Sequence, residues 1–438
     1  MSVNNPPTNR GFHYQNNQLY CEDVRLADLA AAVGTPVYVY SQATILAQAR
    51  AYLANAPANS LVCYAVKANG NPAILKLLAA AGLGADVTSG GELFLAQHAG
   101  FAPEKIIYSG VGKLRHEIEA ALNANIHALH VESAMELELV AEIAAVRQQI
   151  VPIGVRVNPD IQVETHPHIS TGAAQHKFGV SPETAVSLFH FAAQHPWLKP
   201  VGLATHIGSQ IKAIEPFKAS ANFLVGLADE LSSSGIRLDY LDVGGGLGVE
   251  YEGSKWRVAS GESDNQALLI EAWVRAVSEP VQAAGYGLVM EPGRSVMAAA
   301  GMLLTQVVYT KVVSTKPQGK KQFAIVDAAM NDLLRPVLYS AYHEILPLDL
   351  PQRDRGKEVV YDVVGPICET SDFLAKERPL PSLTPGDLLA ISHAGAYGFA
   401  MSSNYNGRLR PAETLVSGQH HHPIRQRQTY QHLLDGVA

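Results

Sequence analysis

Between about residue 36 and residue 295, short apolar runs rich in β-branched residues alternate with longer Ala/Leu/Glu-rich stretches whose apolar positions recur at helical spacing. Eight such strand–helix alternations fit the length of a closed (β/α)8 TIM barrel. A doubly wound open sheet is the alternative, because periodicity alone does not say whether a sheet closes. We therefore predict an α/β domain over residues 36–295. Its candidate strands are SLVCYAVKA, GADVTS, KIIYSG, ALHVES, PIGVRVNP, VGLATHIGS, YLDVGGG and YGLVMEPGRS.

Polar and potentially reactive side chains recur where these candidate strands end. In a barrel all of these ends meet at one mouth, which is where barrel enzymes place their active sites. The recurrence favours the barrel and predicts a site at that mouth. The residues concerned are Lys67, Ser89, Asn158, His206, Gly244 to Gly246, Glu291 and Arg294.

After residue 295 the pattern changes to strand-like runs separated by Pro/Gly turns, with fewer helical stretches between them. Runs such as MLLTQVVYTKVVS and EVVYDVVGPIC predict a second, mainly β domain of the sandwich or barrel type over residues 296–438. Residues 1–35, which contain QLYCEDV, are expected to contribute a strand to it. SGESDNQ, near residue 262, is predicted to be an exposed loop.

Composition narrows the class of protein. The chain has 438 residues, 47% of them hydrophobic, and a net charge of -7, which suits a two-domain globular protein and disfavours nucleic-acid or anionic-membrane partners. No apolar run approaches the ~20 residues that span a bilayer, and the polar N-terminus resembles no secretory signal. Cys21, Cys63 and Cys368 form no C-x-x-C pair or disulfide framework, so a reducing cytoplasm is expected.

Lys67 is the first candidate for chemistry, because it ends the apolar run LVCYAVKAN directly before a turn. A lysine in this position would project into the barrel mouth from a rigid strand. Partial desolvation would lower its pKa and make it a competent Schiff-base amine. A salt-bridging lysine at a strand end is the alternative, and position alone favours it.

Other strand ends carry groups suited to binding a phosphorylated ring. The glycines 244–246 could let backbone N–H groups approach a phosphate, although glycines also form plain tight turns. Glu291 could keep a pyridine nitrogen protonated, or could pair with Arg294 at the surface. His206 could lie against a ring face, or could be a satisfied core histidine.

The second domain offers fewer signals. Arg335 and Tyr339 are four residues apart, so a helical turn would place both on one side, and an arginine there could grip a carboxylate. Cys368 could donate a proton or be a small buried hydrophobe. No His/Cys/Asp spacing indicates a catalytic metal. His166 with His168 is too little to propose one, and the run from His420 to His422 is expected to be a solvated patch.

Taken in order, eight segments resemble the fold-type III pyridoxal-phosphate-dependent decarboxylase family, over almost the whole chain from about Thr35 to Glu413. The resemblance implies an N-terminal barrel, a C-terminal β domain and a homodimer with shared active sites. The segments are YAVKAN, DVTSGGEL, HIGSQ, DVGGGLG, EPGRS, MNDLLRP, GPICETSD and AGAYGFAMSSNYN.

The resemblance also implies roles for individual residues. Lys67 would bind pyridoxal 5'-phosphate covalently, His206 would stack on its ring, and Glu291 would face the ring nitrogen. Cys368 would protonate the reacting carbon, and with Glu369 it would come from the partner subunit. The remaining cofactor contacts would be Ser209, Gly245, Gly246, Gly293, Arg294 and Tyr397. The substrate contacts would be Arg294, Arg335, Tyr339, Glu369 and Tyr397.

Within the family, the segments resemble members that decarboxylate meso-2,6-diaminopimelate to L-lysine and CO2, the final step of lysine biosynthesis. Arg335 and Tyr339 would suit the substrate's distal carboxylate, and Glu369 its distal ammonium. The alternatives are a relative that acts on L-ornithine, L-arginine or carboxynorspermidine, and a non-catalytic regulatory homologue. Thr370, where the family has serine, and Thr88, where it is often apolar, are minor departures.

Overall fold

The computed structural model describes residues 11–161, 177–253, 266–315, 319–350 and 358–437. The predicted loop near residue 262 lies outside the described residues, as do His166 and His168. No described helix combines the length and the apolar character that a membrane span needs.

The chain divides into two compact units. The barrel unit comprises Gln48–Val249 and Asn265–Ser295. The β unit comprises Met1–Ala47, Glu250–Asp264 and Val296–Ala438. The helices Gln42–Asn55 and Arg294–Met297 each contain a boundary between the units.

In the part of the chain that the structure describes, the barrel unit is a closed barrel of eight parallel strands in which neighbours in sequence are neighbours in space. The last strand, Gly287–Met290, pairs with the first, Ser60–Ala65, so that Val289 aligns with Leu61. This closing pair excludes the open sheet, and the predicted (β/α)8 barrel is confirmed. The other strands are Gly84–Val87, Ile106–Tyr108, Ala128–Val131, Val151–Arg156, Leu198–Ala204 and Tyr240–Asp242.

Helices begin directly after several barrel strands because the strand ends carry N-capping serines. Ser89 Oγ accepts the backbone N–H of Glu92 at 3.2 Å, and Ser133 Oγ accepts that of Glu136 at 3.1 Å. Ser89, which the sequence grouped with the reactive residues, is therefore a helix cap. The barrel-unit helices are Pro72–Ala80, Gly90–Ala99, Arg115–Ala124, Ala134–Arg147, Pro182–Gln194, Glu215–Ser233 and Gln266–Ala283, with 3-10 turns at Val66–Ala68 and Pro103–Lys105.

Within the described residues, the β unit contains a nine-stranded sheet and a separate three-stranded antiparallel sheet. The buried strand Val37–Ser41 lies in the larger sheet between Gly301–Thr315 and Ala412–Ser417. Residues 36–47, which the sequence assigned to the barrel domain, therefore group with the β unit. The segment QLYC forms a strand of the smaller sheet.

The remaining elements of the β unit complete these two sheets and their connections. The smaller sheet consists of Phe12–Gln15, Gln18–Cys21 and Val24–Arg25. The other strands of the larger sheet are Gly319–Val326, Ile345–Pro347, Glu358–Val364, Phe373–Pro381, Leu388–Ile391 and His420–Arg425. The helices are Leu26–Val33 and Arg335–Tyr339, with 3-10 turns at Phe399–Met401, Tyr405–Gly407 and Tyr430–Leu434.

Candidate active site

The lysine that the sequence singled out lies in the 3-10 turn at the carboxyl end of the first barrel strand. Lys67 Nζ lies 2.9 Å from Asp86 Oδ2, and the Asp86 side chain is fully buried while that of Lys67 is 37% exposed. Lys67 therefore does form an ion pair, as the alternative interpretation held, but its partner is a carboxylate inside the barrel. The contact orients the amine at the mouth without burying it.

A second carboxylate, Glu291, follows the last barrel strand and is buried. Ser109 Oγ donates to Glu291 Oε1 at 3.2 Å. Burial, followed by the negative charges of Asp242 and Asp86, holds the pKa of Glu291 well above its usual range. A positively charged group beside this carboxylate would lower the pKa of Glu291 and would form a strong ion pair with it.

Asp242 lies beside Glu291 at the end of the seventh strand. Its Oδ1 accepts the backbone N–H of Gly244 at 2.8 Å, and its side chain is hydrogen-bonded to that of Glu291. Burial, with a contribution from Asp86, raises the pKa of Asp242 to about 7. Two buried carboxylates so close together cannot both be ionised at low cost, so the pair holds a proton between them.

His130 completes this buried cluster. The ligand atoms of His130, Asp242 and Glu291 lie within 4.8 Å of one another, which gives the cluster the composition of a cation site. Burial, followed by the charge of Lys113, lowers the pKa of His130 to about 3, so its imidazole is neutral. His130 Nε2 lies 2.8 Å from Tyr240 Oη, and its Nδ1 lies 3.7 Å from Asp242 Oδ2.

The glycine run after the seventh strand forms a backbone cradle. Gly244 and Gly246 have φ values of +68° and +101°, in the left-handed region that favours glycine. A Cβ atom on Gly245 would lie 2.1 Å from the carbonyl oxygen of Glu291, and one on Gly246 would lie 2.1 Å from that of Gly208. Only glycine therefore fits at these positions, and the N–H groups of Gly244 and Gly245 donate to Asp242 Oδ1 and His206 Nδ1.

An arginine adds positive charge at the same rim of the barrel unit. Buried Arg294 donates through Nη2 to Ser209 Oγ at 2.9 Å. His206 Nδ1 accepts the backbone N–H of Gly245 at 3.2 Å. Burial, followed by the charge of Lys67, lowers the pKa of His206 well below its usual range, so the imidazole is neutral and its Nε2 carries the hydrogen. Gly293 lies buried between Glu291 and Arg294.

The β unit contains the other predicted site residues. Arg335 and Tyr339 are the first and last residues of a five-residue helix, which is the helical turn that the sequence indicated. Cys368 and Glu369 are exposed, and Tyr405 Oη donates to the Glu369 carboxylate. Tyr397 is half-buried with φ +56°.

Sequence reasoning missed Asp86, Asp242 and His130, all of which lie inside apolar barrel strands. Each stands in a run whose other residues are almost entirely apolar, such as GADV and YLDV. Because buried charged residues need partners, a single charge in such a run is a signal of a site, and it was available in the sequence.

Comparisons with known proteins agree with this geometry. A family model described as the pyridoxal binding domain of pyridoxal-dependent decarboxylases matches residues 42–298. The chain is 46% identical over 433 residues to a diaminopimelate decarboxylase of Pseudomonas aeruginosa, covering 98% of both chains. It is 44% identical to a diaminopimelate decarboxylase of Aquifex aeolicus, covering 96% of both.

Solved structures give the same result. The Helicobacter pylori diaminopimelate decarboxylase in complex with L-lysine superposes with a TM-score of 0.86 at 39% identity, covering 94% of this chain and 98% of that one. The M. jannaschii enzyme in complex with L-lysine gives a TM-score of 0.89 at 33% identity, covering 98% of both chains. This chain belongs to the diaminopimelate decarboxylase family of pyridoxal-dependent decarboxylases.

Proposed function

We propose that this protein decarboxylates meso-2,6-diaminopimelate to L-lysine and CO2 with pyridoxal 5'-phosphate as its cofactor. The observation that carries the proposal is the constellation at the barrel mouth. An amine, Lys67, is held by a buried carboxylate there, together with a second buried carboxylate and a glycine cradle. The names of the relatives and the L-lysine bound to two of the solved enzymes support the choice of substrate.

The barrel residues fit this cofactor. The backbone N–H of Gly246 in the glycine cradle and the charge of Arg294 suit a phosphate. Glu291, whose pKa is raised by burial and by the charges of Asp242 and Asp86, suits a protonated pyridine nitrogen. The neutral ring of His206 suits stacking on an aromatic face. We propose that the buried cluster of His130, Asp242 and Glu291 faces this protonated ring nitrogen, and we propose no metal ion there.

Individual residues of the chain would then carry separate steps of the reaction. When bound, the cofactor accepts the electron pair that the departing carboxylate leaves behind. Glu291 holds a proton on the ring nitrogen, which keeps the ring electron-poor. Lys67 would hold the cofactor covalently until the substrate amine replaces it, and would replace the product amine at the end of the reaction. Cys368 donates a proton to the reacting carbon.

Recognition of the substrate's second amino-acid head is assigned to the β unit. Arg335 and Tyr339 would bind the distal carboxylate, and Glu369 the distal ammonium. A site built from such groups rejects substrates that lack the head, because its polar groups would be left unpaired.

The exposure of Cys368 and Glu369 supports a homodimer in which each subunit supplies these two residues to the other. We also place the protein in the cytoplasm, where the thiols of Cys21, Cys63 and Cys368 would stay reduced.

The reaction is tested by offering the cofactor-loaded protein meso-diaminopimelate, L-lysine, L-ornithine and L-arginine separately, with Lys67→Ala as the blank. Lysine and CO2 formed from diaminopimelate alone would support the proposal. Turnover of ornithine or arginine instead would overturn the roles given to Arg335 and Tyr339.

The shared site is tested by mixing two inactive variants, Lys67→Ala and Cys368→Ala, under conditions that exchange subunits. In a homodimer with shared sites, half of the dimers are mixed and one of their two sites is intact, so about a quarter of the wild-type activity should return. No recovery, with exchange verified by a tag on one variant, would show that each subunit builds its own site.

A further inference from the structure

The guanidinium of Arg335 is enclosed by groups that the reaction itself does not use. Arg335 is only 3% exposed, and its Cζ atom lies 5.0 Å from the ring centroid of Tyr251. Its Nη1 donates a hydrogen bond to Tyr251 Oη at 2.9 Å. Tyr251 therefore contacts the arginine twice, through its ring and through its hydroxyl.

A buried histidine faces the same nitrogen of Arg335. His343 is 0% exposed, and its Nδ1 lies 2.8 Å from the carbonyl oxygen of Ser392. Because a carbonyl oxygen only accepts hydrogen bonds, Nδ1 must carry the hydrogen. The other ring nitrogen, Nε2, lies 3.5 Å from Arg335 Nη1 and turns its lone pair towards that cation.

The rings of the two residues that contact Arg335 also pack against each other. The rings of Tyr251 and His343 meet edge to face, with centroids 5.2 Å apart at an interplanar angle of 78°. Ser392, which fixes the histidine, is itself fully buried. The contacts on Arg335 Nη1 thus come from a rigid set of groups.

An arginine binds a carboxylate best when the plane of its fork is already fixed, because the rotamer entropy of the side chain is then not lost on binding. The Tyr251 hydroxyl and His343 Nε2 both contact Nη1, and the Tyr251 ring lies beside Cζ, so that the guanidinium keeps its orientation. A loosened Arg335 would still be cationic, but its fork would no longer be aligned in advance.

We propose that Tyr251 and His343 are positioning residues that orient Arg335 and thereby set this enzyme's demand for a carboxylate on the distal end of its ligands. The inference rests on the proposed function, in which Arg335 binds that carboxylate. Neither residue contacts the reacting carbon in this assignment.

The test uses a pair of ligands that differ only in the distal carboxylate. L-lysine retains that group, and cadaverine is the same diamine without it. Equilibrium dissociation constants of both are measured by titrating the visible absorbance of the cofactor-loaded enzyme, for the wild type, Tyr251→Phe and His343→Asn. Phenylalanine keeps the ring beside the guanidinium, and asparagine keeps a donor for the Ser392 carbonyl.

Both variants should bind L-lysine about tenfold more weakly, since a hydrogen-bond acceptor on a charged donor is lost. Their affinity for cadaverine should stay within about twofold of the wild type, and KM for diaminopimelate should rise with little change in kcat. Equal weakening of both ligands would mean a general structural role, and unchanged lysine binding would mean no role; either result overturns the proposal.

Tyr342→Phe is the matched control. Tyr342 also carries an arginine over its ring, with Arg378 Cζ 3.9 Å from the centroid, and its hydroxyl bonds Glu344 at 2.9 Å instead of Arg335. This variant should leave both dissociation constants unchanged. Failure of the proposed function would appear differently, as a wild-type enzyme that does not turn over diaminopimelate.

Discussion

The barrel unit and the β unit place their candidate site residues by different physical means. In the barrel unit, Lys67, Asp86 and Glu291 stand at or near the ends of parallel strands, so the closed topology alone brings them to one rim. In the β unit, Arg335 begins a five-residue helix, and Cys368 lies in a loop. The barrel topology therefore determines where the barrel-unit site residues lie. In the β unit, the position of each site residue depends on individual local contacts.

Asp372 shows how such local contacts work. Its two carboxylate oxygens accept the backbone N–H groups of Met330 and Ile367 at 2.8 and 2.7 Å. One side chain thus ties the start of the MNDLLRP segment to the residue before Cys368. The Cys368 backbone N–H in turn bonds Asn406 Oδ1 at 2.8 Å. The β unit positions its chemistry by such ties alone, whereas in the barrel unit similar ties refine positions that the strand ends already set.

The largest expected effect is on kcat, and it distinguishes Lys67 of the barrel unit from Cys368 of the β unit. Lys67→Ala should lower kcat at least about 10³-fold and abolish the visible absorbance of the bound cofactor, because the covalent attachment is lost. Cys368→Ala should lower kcat about 10²-fold while retaining that absorbance, because only a proton donor is lost.

Activity assays and absorbance spectra of the two purified variants check this contrast. Lys199→Ala, at an exposed lysine paired with Asp239, is the control and should behave as the wild type. A Cys368 variant that loses the absorbance would contradict the division of roles.

The next contrast compares a buried carboxylate of the barrel with an exposed one of the β unit. Glu291→Gln should lower kcat about 10²-fold, since a neutral amide does not hold a proton on the ring nitrogen. Glu369→Gln should instead raise KM for diaminopimelate about tenfold with a smaller change in kcat, because it weakens a substrate contact. Steady-state kinetics of both variants decide the matter, and a kcat effect confined to Glu369→Gln would reverse the assignment.

Sequence reasoning succeeded where local pattern and topology agree. All eight barrel strands were predicted, because each apolar run is long enough for a buried strand and is followed by a helical stretch. The assignment of Val37–Ser41 differed from the structure because its partners, Gly301–Thr315 and Ala412–Ser417, are distant in sequence. An apolar run does not reveal which sheet it will join.

The same limit applies to the site. The strand-end residues followed from position. Asp86 and Asp242 carried a local signal, as single charges in apolar runs, but no local pattern reveals which neighbours across the barrel they contact. In the β unit, the helical turn from Arg335 to Tyr339 followed from their spacing. The enclosure of Arg335 by Tyr251 and His343 did not, since Tyr251 is remote in sequence and the spacing of His343 matches no helical or strand period that would bring it to Arg335.

Each unit contains a buried aspartate whose pKa is raised to about 7, chiefly by burial: Asp242 in the barrel unit and Asp332 in the β unit. Between the ordinary value of 3.8 and about 7, the folded state binds more protons than the unfolded state, so the free energy of unfolding falls as pH rises. Asp242→Asn and Asp332→Asn should each flatten this decline in the cofactor-free protein, as measured by denaturant unfolding between about pH 4 and about pH 7.

The two substitutions should lower the free energy of unfolding by different amounts. Asp332 accepts hydrogen bonds at both oxygens, from Ala329 N and Asn331 Nδ2, so asparagine there loses an acceptor and should cost about 1–3 kcal/mol. Asp242 accepts the Gly244 N–H and is hydrogen-bonded to Glu291; an asparagine keeps the acceptor and its amide N–H can donate to Glu291, so the substitution should cost less there. Equal losses of stability would refute this distinction between the units.

The smallest expected effect concerns the cofactor's phosphate, to which both units are assigned a residue. Ser209 Oγ accepts from Arg294 Nη2 at 2.9 Å and from Nε at 3.3 Å, so Ser209→Ala should loosen the buried guanidinium and weaken cofactor binding about tenfold. Tyr397→Phe, in the β unit, should weaken it less, since one hydroxyl is removed and no charged group is released. Fluorescence titration of the cofactor-free proteins measures both, with Ser187→Ala as the control because its hydroxyl only bonds the Glu183 carbonyl of its own helix. A larger loss from Tyr397→Phe than from Ser209→Ala would mean that the β unit holds the phosphate more firmly than the barrel rim does.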